Sequence, residues 1–349
     1  MKISFSHSKY SGKGYTGLAN LGNTCFLNSC LQVLNHIYEL NELFDSNIKM
    51  KDIPDSSILR EWNELRYLIW TNNGIIAPNK FVYEVHKLAA EQEKDIFTGW
   101  AQNDITEFLL FMINCMHNSI SRKIVMKING EPENNTDKIA VKCYDMLQKV
   151  YSNEYSEIMD LFYGIYVSVI NSNDDTHILS IKPEQYFILD VPVFSQEKGI
   201  LHRLYESIDS FTETEYLTGE NAWLNEKKGQ KEDVKKQIQF WNFPNILIIC
   251  LKRFSPDGSK KLQHLVDFPL EGLNLSKYII GYNKESFVYD LFGVCNHYGN
   301  VMGGHYTSYV KNIDNVWVHY NDTIVEKIED SNQIISPRAY CLFYRKKIT

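Results

Sequence analysis

Apolar positions follow helical spacing through the first third of the chain and strand spacing through the second half. Leu27, Leu31, Leu34 and Tyr38 fall at i, i+4, i+7 and i+11, one stripe of an amphipathic helix beginning near Cys25. Leu59, Trp62, Arg66 (by its stem) and Ile69 make a second stripe, and Phe81, Val85 and Leu88 a third after Pro78. Ile105, Phe108, Leu109, Met112 and Met116 form the buried face of a fourth, with Asp104 and Glu107 together near its start. Residues 121–140 are polar around Asn129-Gly130 and read as a surface loop or exposed hairpin, followed by a short helix at about 142–150. After Tyr151 the period changes. Phe187, Leu189, Val191 and Val193 alternate as in a strand, and Asn245–Leu251 is an apolar run fit for a strand buried on both faces. Further strands are expected at Phe287–Cys295, His305–Lys311, Val316–Tyr320, Ile324–Ile328 and Tyr340–Arg345. Helices first and strands after imply an α+β fold with its cleft between the halves. Residues 1–14 read as a loose polar lead-in, and 205–240 as a polar, charged connection.

Composition narrows the class. The 349 residues are 44% hydrophobic, enough for a large core, and the net charge of −7 disfavours nucleic acid and suits a basic protein partner. The first residues lack the apolar run of a secretory leader, and no window approaches the roughly 18 apolar residues of a membrane span. Seven scattered cysteines without a CxxC pair suit reduced thiols, hence a cytoplasmic or nuclear setting.

Candidate chemistry centres on Gly17-Leu18-Ala19-Asn20-Leu21-Gly22-Asn23-Thr24-Cys25-Phe26-Leu27-Asn28-Ser29, a tight polar turn running into the first helix. Asn23 or Thr24 would cap that helix and put Cys25 in its first turn, where the helix dipole favours the nucleophilic thiolate. A nucleophilic thiol needs a base, and the base an orienting partner. His305 follows a glycine-rich stretch, His297-Tyr298-Gly299-Asn300-Val301-Met302-Gly303-Gly304, and opens a strand. A hairpin of the strands 305–311 and 316–320 would bring Asn321 or Asp322 beside it.

Residues 17–29 resemble the cysteine box of the ubiquitin-specific proteases, and 297–310 with 317–325 resemble that family's histidine box. Gln102-Asn103-Asp104-Ile105-Thr106-Glu107-Phe108-Leu109, Leu161–Gly164, Pro244–Phe254, Val266–Pro269 and Ala339–Tyr344 are similar to further family segments in the same order. The resemblance implies a papain-like cysteine peptidase with thumb, palm and fingers: a lead-in at 1–14 and one catalytic domain at 15–349. The thumb would take about 15–150, the fingers about 164–245 and the palm the remainder. It implies Cys25 as nucleophile, His305 as base and then acid, Asn321 as third member, Asp322 as an adjacent acid, and Asn20 as an oxyanion donor. Asp104, Glu107 and Gln102 would meet the basic tail of ubiquitin, with His297, Gly303, Gly304 and Tyr306 along a channel for its two terminal glycines. The implied activity is hydrolysis after the C-terminal glycine of ubiquitin through a Cys25 thioester, by a monomer that needs no cofactor. A catalytically inactive ubiquitin-binding scaffold, or a peptidase for another ubiquitin-like modifier, are the alternatives.

One departure stands out. Many relatives carry two CxxC pairs in the fingers that bind zinc. This chain has no cysteine between Cys143 and Cys250, and the pairs would fall near Ile170–Asp174 and Leu217–Asn221. His177 and His202 alone do not replace them, so no metal is expected there.

Overall fold

A computed structural model describes residues 5–46, 48–93, 96–97, 101–226, 228–255, 259–300 and 303–347. The helices are α1 (His7–Tyr10), α2 (Cys25–Asn35), α3 (Tyr38–Asp45), α4 (Asp55–Thr71), α5 (Asn79–Glu91), α6 (Ile105–Ile120), α7 (Asn135–Tyr151), α8 (Glu157–Phe162) and α9 (Leu204–Phe211). The main sheet runs in the order Ile324–Ile328, Trp317–Asn321, Gly303–Lys311, Val288–Asn300, Ala339–Lys346, Ile246–Lys252, Ile188–Pro192. Its neighbours are antiparallel except the last pair.

The strand Ile246–Lys252 is buried on both faces, as its sequence predicts. Ile246, Ile248 and Cys250 join the helical core, while Leu247, Ile249 and Leu251 pack on the opposite side with Leu204 and Ile208 of α9. Each such apolar side chain removed from water contributes about 1.5–3 kcal/mol. A second, four-stranded sheet, in the order Ile178–Tyr186, Gly164–Ser172, Val234–Asn242, Glu215–Leu217, rests on α7 through Val167, Val169, Ala140 and Cys143.

Four sequence expectations change. The Leu27–Tyr38 stripe is two helices, because the chain turns at His36-Ile37 before α3 begins. The helix expected at 142–150 starts at Asn135, where Asn134 and Asp137 form a reciprocal capping box from residues that read as loop. The 205–240 connection contains α9 and much of the second sheet. The lead-in is not loose from residue 5 onward: Tyr10 is buried between Tyr38 and Trp70, its hydroxyl donates to Glu42 at 2.7 Å, and Ser11 reaches Asp314.

All seven cysteines are buried and none is in a disulfide. No helix among the described residues is long and apolar enough to cross a membrane.

Candidate active site

Cys25 is the first residue of α2 and Thr24 its N-cap, one of the two caps the sequence offers. Thr24 occupies the cap position without a side-chain bond to the helix; its hydroxyl accepts from the Leu21 N–H at 2.9 Å instead. Asn20 organises the turn, its Oδ1 accepting from the N–H groups of Gly22 and Thr24. Gly22 and Asn23, at φ of +100° and +51°, bend the backbone between them.

The α2 helix packs against the strand Gly303–Lys311, and the backbone N–H of Tyr306 reaches the Cys25 sulfur. The backbone position next to His305 is therefore brought to Cys25 from 281 positions away in sequence. Burial pushes the Cys25 thiol up, the Tyr306 N–H opposes this, and the Asp322 carboxylate adds to the rise. The position at the helix start is as expected, yet desolvation outweighs it.

The expected hairpin forms, with Ser308 opposite Tyr320 and Val310 opposite Val318. It sets His305 Nε2 2.6 Å from Asn321 Oδ1. A carbonyl oxygen only accepts, so Nε2 carries the hydrogen and Nδ1 keeps its lone pair. Of the two residues the sequence left open, Asn321 meets the imidazole. Asp322 turns away to accept from Asn20 Nδ2 at 3.0 Å and Asn28 Nδ2 at 2.8 Å. Sequence reasoning missed Asn28. Its signal was a polar residue three positions beyond Cys25 on a helix buried all round.

Asp104 caps α6, one oxygen taking the Thr106 N–H at 2.7 Å and the other the Tyr340 hydroxyl at 2.8 Å. Both oxygens are thus engaged inside the fold. Glu107 is exposed; partial desolvation, then the Asp104 charge, push it upward. His297 and Tyr306 are buried, 4% and 6% exposed, with rings 4.6 Å apart, so they back the wall beside Gly303 and Gly304. A Cβ on Gly304 would lie 1.9 Å from the Tyr298 carbonyl oxygen. Gln102 bonds the Gly304 backbone twice, by Nε2 to its carbonyl at 2.8 Å and by Oε1 from its N–H.

The two segments aligned with zinc-binding pairs do come together: Ser172 lies opposite Val234, and Val234 opposite Leu217. At that end Asp174 accepts from Ser172 Oγ, Thr176 N and Thr176 Oγ1, and Lys235 pairs with Asp175. His177 bonds Thr176, whereas His202 meets His264 edge to face. Among the described residues no three His, Cys, Asp or Glu side chains converge as a metal site.

A cysteine at a helix start and an Asn-held histidine on a facing sheet, in an α+β frame, define the papain-like thiol peptidase class. Comparison with known proteins gives the family. The pattern described as ubiquitin carboxyl-terminal hydrolase matches residues 16–344, and the chain belongs to that family. It is 32% identical over 350 residues to ubiquitin carboxyl-terminal hydrolase 2 of Bos taurus, covering 96% of this chain and 55% of the relative. The Drosophila melanogaster ubiquitin carboxyl-terminal hydrolase Usp2 is 30% identical over 352 residues, covering 99% and 36%. The chain thus spans about half the length of the mammalian relatives it matches. In fold it resembles a chain of the SAGA DUB module of Ubp8, Sgf11, Sus1 and Sgf73 bound to monoubiquitin, with TM-score 0.75 at 23% identity, covering 100% of this chain and 72% of that one. The same module bound to ubiquitin aldehyde gives 0.73 at 23%, covering 97% and 71%. The architecture is the thumb, palm and fingers of ubiquitin-specific proteases.

Proposed function

We propose that this chain is a thiol-dependent deubiquitinase that cleaves after the C-terminal glycine of ubiquitin. The observation that carries the reading is the His305–Asn321 bond on the strand whose next residue, Tyr306, touches Cys25. His305 Nδ1 takes the Cys25 proton as the sulfur attacks the glycine carbonyl. Asn20 commits one amide hydrogen to Asp322, and its second, with backbone N–H groups near Cys25, meets the oxyanion. His305 then protonates the leaving amine, and water, activated by the same imidazole, hydrolyses the thioester. Thiol, imidazole and amides supply every group the reaction uses, so no cofactor is invoked.

Glu107 offers the exposed carboxylate to the basic tail, with Asp104 contributing field rather than contact. On this reading the thumb covers about 15–150 and the fingers about 164–245. Partners are ubiquitin and ubiquitinated proteins, with neither nucleic acid nor membrane, and the working form is a monomer in cytoplasm or nucleus. Seven reduced, buried thiols favour that setting.

Ubiquitin carrying a C-terminal electrophile tests the reading. A covalent adduct lost in Cys25→Ala supports it. Tight binding without an adduct means an inactive scaffold, and reaction only with another modifier means a different peptidase.

A further inference from the structure

Along a strand, backbone groups two residues apart turn to the same edge. On Gly303–Lys311 that edge is covered by Trp317–Asn321 only from Ser308 onward. Beyond its end, the Tyr306 N–H faces Cys25, and both backbone groups of Gly304 are taken by Gln102. A carboxamide carries the same donor and acceptor as a peptide group, so Gln102 reproduces one rung of a β-ladder. It also packs closely: a Cβ on Gly303 would meet Gln102 Oε1 at 2.7 Å.

Gly304 and Tyr306 are one dipeptide apart, about 6.7 Å along the strand. An extended peptide whose carbonyl sits at Cys25 and which runs along this edge brings the backbone groups of the residue two positions earlier opposite Gly304, where Gln102 stands. We propose that Gln102 is an internal stand-in for the substrate backbone, a clasp that closes the channel in the free protein and is exchanged, rung for rung, for the incoming extended tail. This deepens the assignment of Cys25 as nucleophile and rests on it. Two hydrogen bonds break and two form, so entry leaves no backbone group of Gly304 unpaired. Between turnovers the clasp keeps a free sheet edge from pairing with another chain.

Hydrogen exchange and kinetics separate the clasp from the underlying reading. In the free protein, Gln102→Ala accelerates amide exchange in the segment Gly303–Tyr306, with the melting temperature reporting that the variant is folded; unchanged exchange there overturns the clasp whether or not the enzyme acts on ubiquitin. With a fluorogenic ubiquitin C-terminal amide, Gln102→Ala lowers KM about three- to tenfold, the scale of one or two net hydrogen bonds, and changes kcat less. Gln102→Glu, which accepts from the Gly304 N–H but repels its carbonyl, falls between the two. A raised KM means that Gln102 holds substrate directly and overturns the exchange, as does an unaltered KM. Failure of the wild-type protein to turn over the ubiquitin substrate, with exchange behaving as stated, removes the deubiquitinase reading and leaves the clasp.

Discussion

The Asn28 side-chain amide donates to Asp322 Oδ1 at 2.8 Å across 294 positions of sequence. It ties the helix bearing Cys25 to the turn directly after Asn321. The Leu18 N–H reinforces the tie by donating to the Asp322 carbonyl at 2.9 Å. Asp322 also holds Asn20, so one carboxylate aligns three parts of the site without touching the imidazole.

Asp322→Asn removes the charge that helps raise the Cys25 thiol. Thiolate then forms at lower pH, and the pH profile of Cys25 alkylation by iodoacetamide moves toward acid. Asp322→Ala also frees Asn20 and Asn28, and kcat/KM for a ubiquitin substrate falls about tenfold or more, as expected when hydrogen bonds to a charged group are lost.

Asn321→Ala takes away the carbonyl oxygen that accepts from His305 Nε2. Loss of the tautomer and orientation it sets lowers kcat by about 10²-fold, the lower range for general-base assistance. Asn321→Asp keeps an acceptor in place and recovers most of kcat. Steady-state assays of both variants decide between an orienting role and a merely structural one.

His36 is fully buried, its Nδ1–H donating to the Gln32 carbonyl at 2.7 Å. Burial chiefly pushes it down, to about 4 from 6.5. Because the folded-state value is the lower one, the unfolded chain binds a proton first. Stability therefore falls as pH drops from about 6.5 to about 4, by up to about 3 kcal/mol for this one group. Melting temperatures across that range show the decline, and His36→Gln makes it shallower.

The end of the second sheet is held by Asp174 with Ser172 and Thr176, and by Lys235 with Asp175. Its stability is indifferent to chelators: EDTA moves the melting temperature by less than about 1 °C, whereas loss of a structural zinc site unfolds its domain. Asp174→Ala accelerates amide exchange at 172–177 while leaving the main sheet protected, read by hydrogen exchange.

Long periodic segments were legible and locally determined ones were not. The α6 stripe, the doubly buried strand Ile246–Lys252 and the hairpin carrying His305 and Asn321 follow from spacing, because burial imposes the period. The break at His36-Ile37 is hidden, since its apolar positions stay in phase across the turn. The start of α7 is hidden for the opposite reason: capping by Asn134 and Asp137 uses the residues that otherwise signal loop. At the site, Cys25 and His305 are marked by their glycine- and asparagine-rich surroundings. The rise in the Cys25 pKa is not, because depth beneath other segments is a property of the folded chain. Asn28 shows in the sequence only as a polar residue on an apolar helix, its partner being supplied by the far end of the chain.

The placement of Cys25 early and of His305 and Asn321 late has a consequence for the protein's own making. The helix bearing Cys25 leaves the ribosome while the strands bearing His305 and Asn321 are still untranslated. At about 5–20 residues per second, the 280-residue interval (305 − 25) lasts roughly 15–60 s. Throughout that time the nascent chain carries Cys25 without the strands that bear His305 and Asn321, so on the proposed roles the thiol waits for its proton acceptor.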